Sequence, residues 1–284
     1  MRAFHAFRTK NKSDFALADF EIFTLILSAL EWRRHNGETF LYTDTTGKNF
    51  LADNGLSDLW SGIDTSLDEM DSLGIDEKIF WAGAKLYALS KQPSPCVMID
   101  LDFIVWQPLN FERFGSSVAV IHRESTDLLC YPDKNYFRFK NFTLPDELNW
   151  SLEPCNAALV YFGDKNFVER YVEFAFKFMR AANPLPEQNG WDLLPYMVFV
   201  EQRWMAMCAE LCGVEVKNLS DLAELFGGKQ KTFTHIWGYK QFFRDNQSAS
   251  EKFCRDCAGR IAHDFPKATE RFSRLPLTKK YFAI

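Results

Sequence analysis

The chain alternates between two hydrophobic periods, and that alternation predicts its elements. "RAFHAF" (2–7) and "ETFLYTD" (38–44) are apolar runs of strand length, whereas residues 14–35 space apolar side chains at three and four, the helical period. A short helix is expected within 49–60. "IDEKIFWAGAKLYALSK" (75–91) reads as another helix, leading through Pro93 and Pro95 into the apolar run "CVMIDLDFIVWQPL" (96–109). Runs at 116–124 and 155–163 read as strands and 164–182 and 200–213 as helices, while "KTFTHIWGYKQF" (231–242) reads as a strand and turn ahead of a helical tail. Residues 131–150 are polar, aromatic and irregular; a loop of that length in a compact domain is usually functional or mobile. Strands alternating with helices predict an α/β fold, with a mainly parallel sheet and helices on both faces. No repeat or low-complexity linker interrupts the pattern, so one Rossmann-like domain over 1–240 with a helical extension over 241–284 accounts for it.

The run at 96–109 is composed like a buried strand but carries two carboxylates, Asp100 and Asp102. An ionised carboxylate in an apolar setting is costly unless paired, hydrogen-bonded or bound to a metal. In a parallel sheet the ligand site lies at the carboxyl ends of the strands, and the two residues come where a four-residue apolar run ends. Being two apart, they point to one side of an extended backbone and can reach one cation. Hard oxygen ligands favour Mn²⁺ or Mg²⁺, ions that take their remaining ligands from water and substrate phosphates. The plainer alternative is a pair of carboxylates that cap turns or pair with arginine.

Composition narrows the class. The 284 residues are 47% hydrophobic and 25% charged, typical of a globular protein with a sizeable core. No stretch is long and apolar enough to span a bilayer and the first residues lack a signal-peptide core, so a cytoplasmic location is expected. Seven scattered cysteines, an odd number, suit reduced thiols. Cys208 and Cys212 with the "CRDC" at 254–257 invite a zinc reading, but thiols four apart in an apolar helix act as small buried hydrophobes. The net charge of −5 is uneven: residues 229–284 hold 12 Lys and Arg against 5 Asp and Glu, or +7, leaving −12 for the remainder. That basic end either folds back on the acidic body or meets an anionic partner, a membrane surface included. No nucleic-acid partner is expected.

The motif order resembles that of GT-A fold glycosyltransferases, especially the glycogenin-like enzymes of glycosyltransferase family 8. The likeness runs over about residues 3–240: "PCVMIDLDFIVWQPL" resembles the family's D-x-D strand with its Pro-Leu, "NAALVYFG" its Asn-Ala-Gly strand start, "EQRWMAMC" its Asp-Gln helix start, and "HIWGYK" its late His-x-x-Gly-x-x-Lys motif. Ala158 stands in place of a glycine, Glu201 in place of an aspartate, and Lys240 lies one residue nearer Gly238 than in the pattern. The resemblance implies a metal-dependent transferase using a nucleotide-sugar donor, with UDP-sugar foremost, on a glycan, lipid or protein acceptor. It implies Asp100, Asp102 and His235 as metal ligands, with Asp100 also near the ribose, and Asn156 and Gln202 as catalytic contacts to the donor sugar. Lys85 and Lys240 would reach the donor, and Phe7 and Thr9 would border the nucleotide. Retention of anomeric configuration is part of the same resemblance. Two other readings stand beside it: a GT-A scaffold that binds without catalysis, and a D-x-D phosphatase, whose aspartates belong on the first strand rather than near residue 100.

Overall fold

The computed structural model describes residues 1–10, 15–186, 192–220, 222–228 and 230–282. In chain order the strands are β1 (Ala3–Ala6), β2 (Thr39–Tyr42), β3 (Gly62–Asp64), β4 (Cys96–Ile99), β5 (Phe103–Val105), β6 (Val118–Val120), β7 (Leu159–Phe162), β8 (Val216–Asn218) and β9 (Phe233–His235). The longer helices are α1 (Asp19–His35), α2 (Thr45–Asp53), α3 (Gly83–Ser90), α4 (Lys165–Ala181), α5 (Leu194–Val198) and α6 (Trp204–Cys212). After α7 (Leu222–Phe226) the tail holds α8 (Lys240–Asp245), α9 (Gln247–Asp264), α10 (Pro266–Phe272) and α11 (Lys279–Phe282). The fold is α/β, as the alternation of periods predicts. Its chain divides into two compact, interleaved units: unit I, of Ser66–Ile99 and Asn110–Gln230 with Met1, and unit II, of Arg2–Thr65, Asp100–Leu109 and Lys231–Ile284.

In unit II, β1 and β2 run parallel with Ala3 opposite Thr39, and β2 and β3 run parallel with Phe40 opposite Gly62. Helix α1 is buried on nearly every face, from Phe20 and Ile22 to Ala29 and Trp32, so it sits inside a core rather than at a surface. Its acidic first turn (Asp19, Glu21) and basic last turn (Arg33, Arg34, His35) both complement the helix dipole. It packs against β5 and α9. Helix α2 starts earlier than the expected 49, because the Asp44 carboxylate caps it by accepting from Gly47 N–H at 2.8 Å. The basic tail folds onto the acidic side chains of this unit: Arg244 pairs with Glu21 at 2.9 Å, Lys280 with Asp19 at 2.7 Å, and Arg271 with Asp58.

In unit I the strands lie in the order β4, β7, β6, β8. Strand β7 is antiparallel to both β4 and β6, and β8 is parallel to β6. The irregular stretch 131–150 contributes to the core: the Phe137 ring lies 4.8 Å from that of Phe199 and 5.7 Å from that of Phe178, and Trp150 stacks on Phe199 at 5.5 Å. One antiparallel bridge, Phe139 opposite Ala182, and this aromatic area hold the segment.

Three further elements differ from their sequence reading. The helix expected over 75–91 begins only at Gly83, because Asp76 makes a turn of its own: its carboxylate accepts from Lys78 N–H and its carbonyl from Ile79 and Phe80 N–H. The helix expected over 200–213 is a five-residue π-helical turn, Phe199–Arg203, running into α6. The single strand expected over 96–109 is two strands, and Asp100 to Asp102 form the turn between them, closed by Phe103 N–H to the Asp100 carbonyl at 3.0 Å. The two carboxylates therefore owe their common direction to a turn, not to extended backbone.

Candidate functional site

Strand β5 pairs antiparallel with β9, placing Phe103 opposite His235. That register brings the imidazole to the Asp turn from more than a hundred residues away. Ligand atoms of Asp100, Asp102 and His235 all lie within 4.8 Å of one another. Asp102 is buried, and its Oδ2 is 2.8 Å from Lys240 Nζ and 3.8 Å from His235 Nε2. Burial pushes its carboxyl up, but the charges of Lys240 and His235 outweigh that and hold it below the usual carboxylate range. It is therefore an anion at neutral pH, at a site with two oxygen donors and one nitrogen donor. Such a set fits Mn²⁺ or Mg²⁺, with open positions for water or phosphate oxygens.

The same unit supports the turn from beneath. Trp60 donates its indole N–H to His5 Nδ1 at 2.9 Å, His5 Nε2 meets the Ser28 hydroxyl at 3.0 Å, and Ser28 donates to the Phe103 carbonyl at 2.6 Å. Indole is a donor only, so His5 must accept at Nδ1 and carry its proton on Nε2. Burial pushes its pKa down to about 3, and the imidazole stays neutral. The relay pins β5 immediately after Asp102. Thr9 is buried too, and its hydroxyl and N–H both donate to Asp44, each at 2.8 Å. Phe7 is half-buried and stacks on Phe15, 5.7 Å between ring centres.

Unit I gathers the other sequence-predicted residues. Lys85 on α3 lies 2.5 Å from Glu201 Oε1, with side chains 12% and 8% exposed, and it also donates to the Ala157 carbonyl at 3.4 Å. Gln202 accepts from the Tyr131 hydroxyl. The Asn156 amide donates to Glu124 Oε1 at 2.9 Å, and His122 Nε2 is 3.8 Å from the same oxygen. The buried Arg203 clamps the irregular segment onto the π-helical turn, donating to the carbonyls of Tyr131 at 2.8 Å, Pro132 at 2.9 Å and Trp150 at 2.5 Å. Sequence reading missed Glu124, Tyr131, Arg203 and the supporting role of His5. Only the length and aromaticity of 131–150 gave any sign of them.

The seven cysteines are free, with Cys208 and Cys212 sulfurs 4.0 Å apart and Cys254 and Cys257 buried. Among the described residues, no helix is long and apolar enough to cross a membrane.

A family model described as a family of unknown function, DUF6734, matches residues 4–275. The chain belongs to the DUF6734 family. No curated protein matches it. Among solved structures, this DUF6734 chain is similar to the PaToxG glycosyltransferase at 13% identity, over 74% of this chain and 68% of that one, with a TM-score of 0.36. It is similar to mouse xyloside xylosyltransferase 1 at 11% identity, over 69% and 82%, with a TM-score of 0.37. A third, the inositol-1-phosphate CTP transferase of T. maritima, is 13% identical over 78% and 84%, with a TM-score of 0.36.

Proposed function

We propose that the chain is a metal-dependent glycosyltransferase that moves a sugar from a nucleotide-diphosphate donor, a UDP-sugar foremost, to an acceptor with retention of configuration. The observation that carries the reading is the convergence of Asp100, Asp102 and His235, with ligand atoms within 4.8 Å, at a turn directly after a buried strand. These residues would hold Mn²⁺ or Mg²⁺. Bound there, the ion supplies positive charge against a departing diphosphate, where negative charge gathers in the transition state. Lys240 now faces Asp102, and a swing of its ammonium would bring it onto that same anion. In this reading Asn156 and Gln202 contact the donor sugar, Lys85 the donor, and Phe7 and Thr9 border the nucleotide.

The test is Mn²⁺-dependent UDP binding by calorimetry together with hydrolysis of UDP-sugars. Asp102→Ala is expected to lower metal-dependent hydrolysis by about a hundredfold, the usual scale for losing a group that stabilises developing charge. Full activity in that variant, with its Mn²⁺ dependence intact, would sink the reading. One observation favours a second reading, a scaffold that binds a nucleotide without turnover: the ammonium groups of Lys85 and Lys240 are each matched to a protein carboxylate. Tight UDP binding with no hydrolysis and no transfer across acceptors would select it.

A further inference from the structure

Immediately after the cation centre, the chain exposes three large aromatic side chains that no fold requirement explains. Trp237 is 67% exposed, Tyr239 60% and Phe242 49%, on the short turn after His235 and on α8. They stand on a firm base. Tyr239 stacks over Phe243 at 6.1 Å, and Phe243 packs on Phe253 at 4.8 Å and on Phe20 at 5.4 Å. Patches of this kind, apolar and rimmed by polar groups, mark binding surfaces.

Charge decides what kind of partner suits it. Within residues 236–246 the only cations are Lys240 and Arg244, and they face Asp102 at 2.8 Å and Glu21 at 2.9 Å. On this stretch of chain both cations are already engaged by carboxylates, so neither is offered whole to an anionic bilayer or a phosphorylated partner. On the same helix, α8, lies an exposed amide–carboxylate pair, Gln241 donating to the two Asp245 oxygens at 2.9 Å and 3.1 Å. Flat apolar faces beside amide and carboxylate hydrogen-bonding groups match a pyranose, which has a C–H face and a rim of hydroxyls.

We propose that Trp237, Tyr239 and Phe242 form a platform for a neutral saccharide, so that the acceptor is a glycan rather than a lipid or an unmodified protein. This rests on the glycosyl-transfer reading, since the platform continues directly from His235 and Lys240 of the cation centre. The test puts the full chain on an array of neutral di- to tetrasaccharides built from glucose, galactose and N-acetylglucosamine, and separately on phosphatidylcholine vesicles with and without phosphatidylserine. Binding of one or more saccharides, weakened about tenfold by Trp237→Ala as one stacking ring is lost, supports the proposal. Tyr239→Ala is expected to act in the same direction, and unchanged thermal melting of both variants excludes misfolding. Binding of no saccharide, equal binding by Trp237→Ala, or vesicle binding that Trp237→Ala abolishes while no saccharide binds would each overturn it. Mn²⁺-dependent UDP binding on the same samples keeps the two ideas apart. UDP bound without saccharide removes the platform alone, and saccharide bound without UDP removes the transfer reading alone.

Discussion

Substituting Glu31 by glutamine should make unit II markedly more sensitive to acid, because Glu31 and His5 act on its stability with opposite signs. Glu31 is fully buried on α1, with Arg34 at 3.8 Å, His35 at 3.3 Å and Arg260 at 4.0 Å. Burial first, then the carboxylate of Asp264, push its pKa up to about 7 against the pull of the two arginines. Burial and Arg34 lower the pKa of His35, which weakens its pull on Glu31. Between the unfolded value of 4.5 and about 7, the folded chain binds more protons at Glu31 than the unfolded chain does. Its contribution is therefore complete below 4.5 and is lost as pH rises through about 7. His5 is the reverse: with a folded pKa of about 3 against 6.5 unfolded, its contribution is complete above 6.5 and drains away as pH falls toward 3. Each effect has a slope of about 1.4 kcal/mol per pH unit. From pH 6.5 down to 4.5 the two nearly cancel. Glu31→Gln removes one of them, so the variant should lose about 3 kcal/mol more than the parent over that interval. Urea unfolding followed by tryptophan fluorescence at half-unit pH steps measures the difference, in which the titrating groups remote from Glu31 drop out. Parallel curves for the two proteins would refute the assignment of a protonated Glu31.

Two further predictions follow from the paired ammonium groups. Lys240→Ala removes the cation now facing Asp102 and should raise affinity for free Mn²⁺ by about tenfold while lowering affinity for Mn²⁺ with UDP, both readable by calorimetry. Lys85→Met leaves Glu201 as a buried charge without its ammonium and should cost about 3 kcal/mol in urea unfolding, whereas Lys85→Met with Glu201→Gln should recover much of that loss.

The sequence made the elements legible wherever local periodicity decides them, as in α1, α4 and the apolar run of β4. It failed where a local hydrogen bond competes with the pattern. Asp76 turns the chain with its own carboxylate and carbonyl, so the apolar Ile79 and Phe80 that look helical lie ahead of α3. At the candidate site the residue types were readable but their arrangement was not. That Asp100 and Asp102 need a strong partner follows from their apolar neighbours. That the partner group includes Lys240, in spite of its irregular spacing from Gly238, follows only from β9 and α8 folding back beside β5. Arg203 and Tyr131 were invisible for the same reason, since their partners are 53 to 72 residues away along the chain.

A three-residue turn has too few internal bonds to fix two carboxylates on its own, so the geometry of the cation centre depends on what grips the strand that follows it. Downstream, β5 is fixed twice: by the register that sets Phe103 against His235, and by the Ser28 hydroxyl on the Phe103 carbonyl, itself held by His5 and Trp60. The acid-sensitive imidazole is thus one hydrogen-bonded step from the strand that carries the centre. Protonating His5 would set an N–H against the Trp60 indole N–H, a donor facing a donor, and loosen Ser28 from β5. Ligand geometry at Asp102 and the stability of unit II should accordingly fail together on acidification.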